Sequence, residues 1–166
     1  VSVERFNWAA GIMGQLPFVI FLEIFIIYLP ILFHGIYGVY IAFTSKSNVG
    51  NYSSFRNWMF VLQRFSGVIA FIFIAVHVFQ TRLQVFFGAE VNYDMVADVV
   101  TNPFWFAFWF VGIIATVFHF ANGLWSFAVT WGITQSAKSQ QIMAYVSLAV
   151  FVVVSVIGIQ ALFAFI

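Results

Sequence analysis

Four long apolar stretches separated by polar segments set the pattern of this chain. The first, residues 17–43, opens at Pro17 and is interrupted by Glu23, Pro30 and His34. The second, residues 58–87, carries Gln63, Arg64, His77 and Arg82. The third, residues 104–131, has no charge and holds His119; the fourth, residues 142–166, has neither histidine nor charge. At a helical rise of about 1.5 Å per residue, each is long enough to cross a hydrocarbon core about 30 Å thick. The pattern predicts an all-α transmembrane helix bundle, one domain over residues 1–166 with four spans. Pro30 lacks an N–H and should kink the first span just before His34. The segment 88–103, with Glu90, Asp94 and Asp98, has room for a short interfacial helix. Val1 to Leu16 reads as a mildly polar opening without the basic start and cleavage site of a signal peptide. It begins with Val where a complete chain would begin with Met, which processing or an absent leading segment would explain.

Composition supports the membrane assignment. The chain is 64% hydrophobic and 7% charged, with a mean hydropathy of +1.05, whereas soluble domains carry about 25% charged residues. An aromatic fraction of 22% suits a lipid-facing surface and equally a bundle packed around flat cofactors. A formal charge of +1 without a basic cluster excludes nucleic acid as a partner. Absence of cysteine excludes disulfides and iron–sulfur clusters held by this chain alone.

The charges between spans assign an orientation. Lys46, Arg56 and Lys138 lie in the first and third connecting loops, and the second loop is acidic. The positive-inside rule puts the basic loops in the cytoplasm and both ends of the chain outside.

Orientation gives depth to the three histidines. His34 lies about 10 residues, or about 15 Å, before the cytoplasmic end of its span, and His119 about 12 residues, or about 18 Å, before the end of its own. These two share a level. His77 lies roughly 15 Å from the outer face, in the other half of the membrane. Bis-histidine haem ligation requires two imidazoles at one depth on facing helices. His34 and His119 meet that requirement as axial ligands of a b-type haem, and His77 has no partner in the chain. The competing reading makes each a hydrogen-bonded interhelical residue.

Helical phase describes the surroundings. Gly112, Gly123 and Ser126 fall within about 40° of the His119 face, with Thr116 a little farther off, and Gly35 and Gly38 stand beside His34. Such small residues let a macrocycle approach, and equally let helices pack closely. Ala70, Phe73, Thr81 and Gln84 share the His77 face, where Thr81 or another hydroxyl would fix the imidazole tautomer. Arg64 and Arg82, toward opposite ends of the second span, are either snorkelling anchors or partners of haem propionates, Arg64 on the cytoplasmic side and Arg82 on the outer side. Glu23 falls within about 20° of the His34 face, at roughly the depth of His77. As an unpaired carboxylate it would exchange protons at a quinone site; as an interfacial residue it would bond the N-terminal stretch.

Several blocks carry a resemblance: Leu22-Glu23-Ile24-Phe25-Ile26-Ile27 through His34-Gly35-Ile36-Tyr37-Gly38-Val39-Tyr40, Arg56-Asn57-Trp58 through Arg64 and His77, Gly88-Ala89-Glu90-Val91-Asn92, and Phe118-His119-Phe120-Ala121-Asn122-Gly123-Leu124-Trp125-Ser126-Phe127. Nearly end to end, the chain resembles the cytochrome b558 membrane anchors of Gram-positive-type succinate:menaquinone oxidoreductase. The resemblance implies five transmembrane helices, two haems b held by four histidines, and docking of a flavoprotein and an iron–sulfur subunit on the cytoplasmic side. It implies His34 and His119 as ligands of the haem near the iron–sulfur subunit and His77 as one ligand of the distal haem. Val1 to Leu16 resembles the outer loop after the family's first helix, so that helix and its histidine have no counterpart in the sequence. The implied activity is electron transfer from succinate, oxidised on the flavoprotein, to menaquinone near the outer face. Two alternatives stand beside it: a dihaem quinone-reactive subunit of a formate dehydrogenase or hydrogenase, and a transporter or scaffold without cofactor.

Overall fold

The computed structural model describes residues 2–166. Six helices account for most of them. Helix α1, Val3–Gly14, precedes the first span and is capped by the Ser2 hydroxyl, which accepts from the Arg5 N–H. Helix α2, Val19–Thr44, is the first span; α3, Phe55–Gln80, continues through a 3-10 turn, Arg82–Phe87, to complete the second. The short α4, Tyr93–Val100, leads to α5, Pro103–Thr130, and α6, Ala137–Phe163. Four of these are long and apolar enough to cross a membrane.

Local chemistry sets the boundaries. The Ser54 hydroxyl accepts from the Asn57 N–H and starts α3 three residues before the hydropathy break at Trp58. Ser136 and Ser139 form a reciprocal capping box, so α6 begins at Ala137 rather than at residue 142. Asn102 caps α5, and Pro103 sits at its first turn, where the missing N–H costs nothing. Pro30 acts through the backbone N-terminal to it. Its ring disfavours the regular bond to the Ile26 carbonyl, and Glu23–Tyr28 adopts a π-helical segment before regular α-helix resumes at Leu29.

Helix α5 is central, packed against α3 on one side and α6 on the other, while α2 leans on α3. A core of Phe73, Val96, Val100, Trp109 and Leu162 closes the end where α4 lies across α5. The amphipathic α4 is the expected interfacial helix, with Val96 and Val100 inward. Tyr93 ties three segments together. Its hydroxyl donates to the Ala164 carbonyl at 2.9 Å, its N–H donates to Asn7 Oδ1 at 2.7 Å, and its ring packs edge-on to Phe6 and tilted against Phe165. The polar opening is thus a docked helix. Helix α2 buries none of its most apolar window, and Phe33, Ile36, Tyr37 and Tyr40 face outward. Such a surface is stable in lipid, where the backbone is satisfied within each helix.

Candidate functional site

Helices α2 and α5 bring the rings of His34 and His119 together, edge to face. Their ring centroids are 6.0 Å apart with the planes at 70°. Each residue sits where its span's register put it, so the matched depths read from the loops become a real contact. Two metal–imidazole bonds of about 2 Å, with the ring radius added on each side, require roughly this separation. A cavity of about 440 Å³ opens beside the pair, lined by His34, Gly38, Gln63, Arg64, Gly67 and Thr116 among others. That size lies within the range of cofactor pockets.

His119 is held by α3. Its Nδ1 lies 3.0 Å from the Gln63 carbonyl. A carbonyl only accepts, so Nδ1 carries the proton and Nε2 keeps its lone pair, the tautomer needed for metal ligation through Nε2. Gly67 makes this seat possible: a Cβ there would stand 2.7 Å from His119 Cε1 and 2.9 Å from Nδ1. Other glycines serve helix packing. A Cβ at Gly35 would overlap the Phe71 ring and one at Gly112 the Phe73 ring, whereas Gly38 has open space beside it. The small-residue face thus divides between the two functions proposed for it. Arg64 lines the cavity with its guanidinium 3.6 Å from the Phe60 ring centroid and has no carboxylate partner among the described residues. Its charge remains available to an acidic group in the cavity.

In the other half of the bundle, His77 packs edge-on to Trp109, with centroids 4.8 Å apart, and near Phe73 at 5.8 Å. Its Nδ1 is buried without a hydrogen-bond partner among the described residues. Thr81 does not fix this imidazole as expected. Its hydroxyl donates to the His77 backbone carbonyl at 2.7 Å, and that carbonyl also accepts the Thr81 N–H at 3.0 Å where α3 gives way to the 3-10 turn. Nor is Glu23 an unpaired carboxylate. Arg82 Nε donates to Glu23 Oε1 at 2.6 Å, so the carboxylate expected to carry protons and the arginine expected at a propionate neutralise each other. A charge facing the bundle interior finds an opposite charge in preference to lipid. The π-helical segment starts at Glu23 and the 3-10 turn at Arg82, so the ion pair joins the two irregular stretches of the spans.

Among the described residues no group of three or more histidine, cysteine, aspartate or glutamate side chains is placed to hold a bare metal ion. A bis-histidine haem needs two protein ligands, and the inner histidine pair with its fixed tautomer fits one. Residues 45–158 match the family described as succinate dehydrogenase/fumarate reductase transmembrane subunit. The chain belongs to that family. It is similar to the succinate dehydrogenase cytochrome b558 subunit of Bacillus subtilis (strain 168), with 55% identity over 165 residues, 99% of this chain and 82% of the relative. No solved structure matches. As a family member, this chain is a membrane subunit of a succinate-linked respiratory complex, not of the formate dehydrogenase or hydrogenase type. Its four apolar spans and its Bacillus relative place it in the bacterial cytoplasmic membrane.

Sequence reasoning had not singled out Gln63, Gly67, Asn122 or the Trp109–Gln80 pair, in which the indole N–H donates to Gln80 Oε1 at 2.9 Å. A glutamine and an asparagine inside apolar spans were the available signal, since each must find a partner there.

Proposed function

We propose that the chain carries electrons through two haems b from an iron–sulfur subunit to menaquinone, anchoring that subunit and a flavoprotein at the cytoplasmic face. The observation that carries this reading is the His34–His119 pair, 6.0 Å between centroids, with the His119 tautomer fixed for ligation through Nε2. When bound, haem supplies one-electron transfer between the partner's cluster and the quinone. The residues of this chain hold and orient it. His34 and His119 hold the cytoplasmic-side haem, Gly38 leaves space at its edge, and Arg64 balances propionate charge. His77 holds the outer haem on one side.

Menaquinone reduction takes up two protons at the outer site. Glu23 carries them once its ion pair with Arg82 opens. Succinate oxidation belongs to the flavoprotein, which makes this chain the quinone-reducing half of the enzyme. Pyridine-haemochrome quantification on the purified complex tests the proposal. Two haems b per copy of this subunit are expected; one haem would remove His77 from the ligand set, and none would leave a cofactor-free anchor.

A further inference from the structure

Among the described residues, His119 alone of the three intramembrane histidines has a hydrogen bond to its ring, and a polar cluster surrounds that bond. The Gln63 carbonyl accepts from His119 Nδ1 at 3.0 Å and from the Ser66 hydroxyl at 3.1 Å. In return, the Gln63 side-chain Nε2 donates to the His119 backbone carbonyl at 3.0 Å. The other end of that amide is held too: Asn122 Nδ2 donates to Gln63 Oε1 at 2.7 Å and to the Met59 carbonyl at 3.3 Å. Gly123 leaves the space for it, since a Cβ there would lie 3.3 Å from Gln63 Nε2. Residues 63 and 119 therefore grip each other twice, ring to backbone and side chain to backbone. Among the described residues His34 has no such bond, although its ring meets that of His119.

We propose that the Gln63 side chain, clasped by Asn122, is a positioning residue for His119 that sets the strength of the Nδ1–H bond and through it the potential of the cytoplasmic-side haem. The inference rests on the haem reading of the His34–His119 pair. The physical route is short. A hydrogen bond donated from Nδ1 makes the imidazole a stronger electron donor through Nε2, and a stronger donor favours the oxidised iron. That bond's geometry depends on how α5 is set against α3 at this level, and the amide bridge fixes it directly. The helix backbone supplies the acceptor, so no substitution removes it. The side-chain clasp is the adjustable part. The asymmetry distinguishes the pair: a bound haem would find the His119 ring held by a hydrogen bond and the His34 ring without one among the described residues.

The test is a potentiometric titration of both haems in the intact complex, with low-temperature EPR of the oxidised low-spin signals. Gln63→Met keeps the side-chain length while removing both amide bonds. It is expected to retain both haems and to raise the potential of the cytoplasmic-side haem alone. A tenfold weakening of the oxidised form relative to the reduced corresponds to about 59 mV. Asn122→Ala leaves Gln63 present but unclasped, so a shift of the same sign is expected. The double variant should add little to the larger single effect, because both act on one bridge. If Gln63→Met does not assemble, Asn122→Ala decides alone. Unchanged potential and EPR signals in an assembled variant, or a shift confined to the outer haem, would overturn the proposal. Absence of haem from the unaltered complex would instead sink the functional reading beneath it.

Discussion

Gly67→Ala adds one methyl group at the back of the candidate ligand. The added carbon would stand 2.7 Å from His119 Cε1 and 2.9 Å from Nδ1, where ordinary contact begins near 3.4 Å. Alanine's carbon is fixed to the backbone of a long helix, so the imidazole must retreat by roughly 0.5–0.7 Å to reach van der Waals distance. A retreat of that size stretches the 3.0 Å Nδ1 contact with the Gln63 carbonyl to about 3.6 Å, which no longer counts as a hydrogen bond. Loss of such a supporting bond typically costs about 10–100-fold in affinity for the metal group, or about 1.4–2.8 kcal/mol. Helix propensity works the other way, since alanine is favoured over glycine by about 1 kcal/mol within a helix. The bundle should therefore remain folded while the inner haem is lost preferentially. Haem retention of the purified complex, followed while a haem-scavenging apoprotein is added, measures this directly. Gly11→Ala, with open space at its Cβ, is the matched control. Wild-type retention of the cytoplasmic-side haem in Gly67→Ala would refute the view that His119 is seated against α3.

Arg82→Leu leaves Glu23 without its partner inside the membrane and should lower the yield of assembled complex in membranes. The double change Arg82→Leu with Glu23→Leu should recover yield, because an uncompensated charge costs more than its absence; failure to recover would mean that Arg82 acts elsewhere. Tyr93→Phe removes the 2.9 Å bond to the Ala164 carbonyl and should lower thermal stability by about 0.5–1.5 kcal/mol, read as an earlier unfolding midpoint with both haem spectra intact. Gly112→Ala places a methyl group in the Phe73 ring and should destabilise the bundle by about 1–3 kcal/mol through overpacking, with the outer site more disturbed than the inner because Phe73 packs on His77.

The features legible in the sequence were those fixed by one dimension of the chain. Hydropathy marked the four spans, and counting residues from the basic loops put His34 and His119 at one level, where their rings meet. The acidic segment with Glu90, Asp94 and Asp98 left room for a short helix, and α4 occupies it, while its apolar side at Val96 and Val100 was seen only in the fold. Features that depend on a second segment were not legible. Val1 to Leu16 read as a polar opening because Phe6 finds its apolar partners only at Tyr93 and Phe165. Glu23 read as either unpaired or bonded to the N-terminal stretch, because its partner Arg82 lies 59 positions later and no local pattern joins them. Gln63 looked like one polar residue within a span, and its importance emerges only when α5 brings His119 and Asn122 against it. Gly67 belongs to the same class, since its missing side chain matters only to a ring on another helix.

The central claim is that His34 and His119 serve one haem and His77 another. Potentiometrically resolved reduced-minus-oxidised spectra of the intact complex carrying His34→Leu, His119→Leu or His77→Leu test it most directly. The first two variants should lose the same spectral component and keep the other, and His77→Leu should show the reverse. Loss of different components in His34→Leu and His119→Leu, or retention of both in either, would contradict the claim.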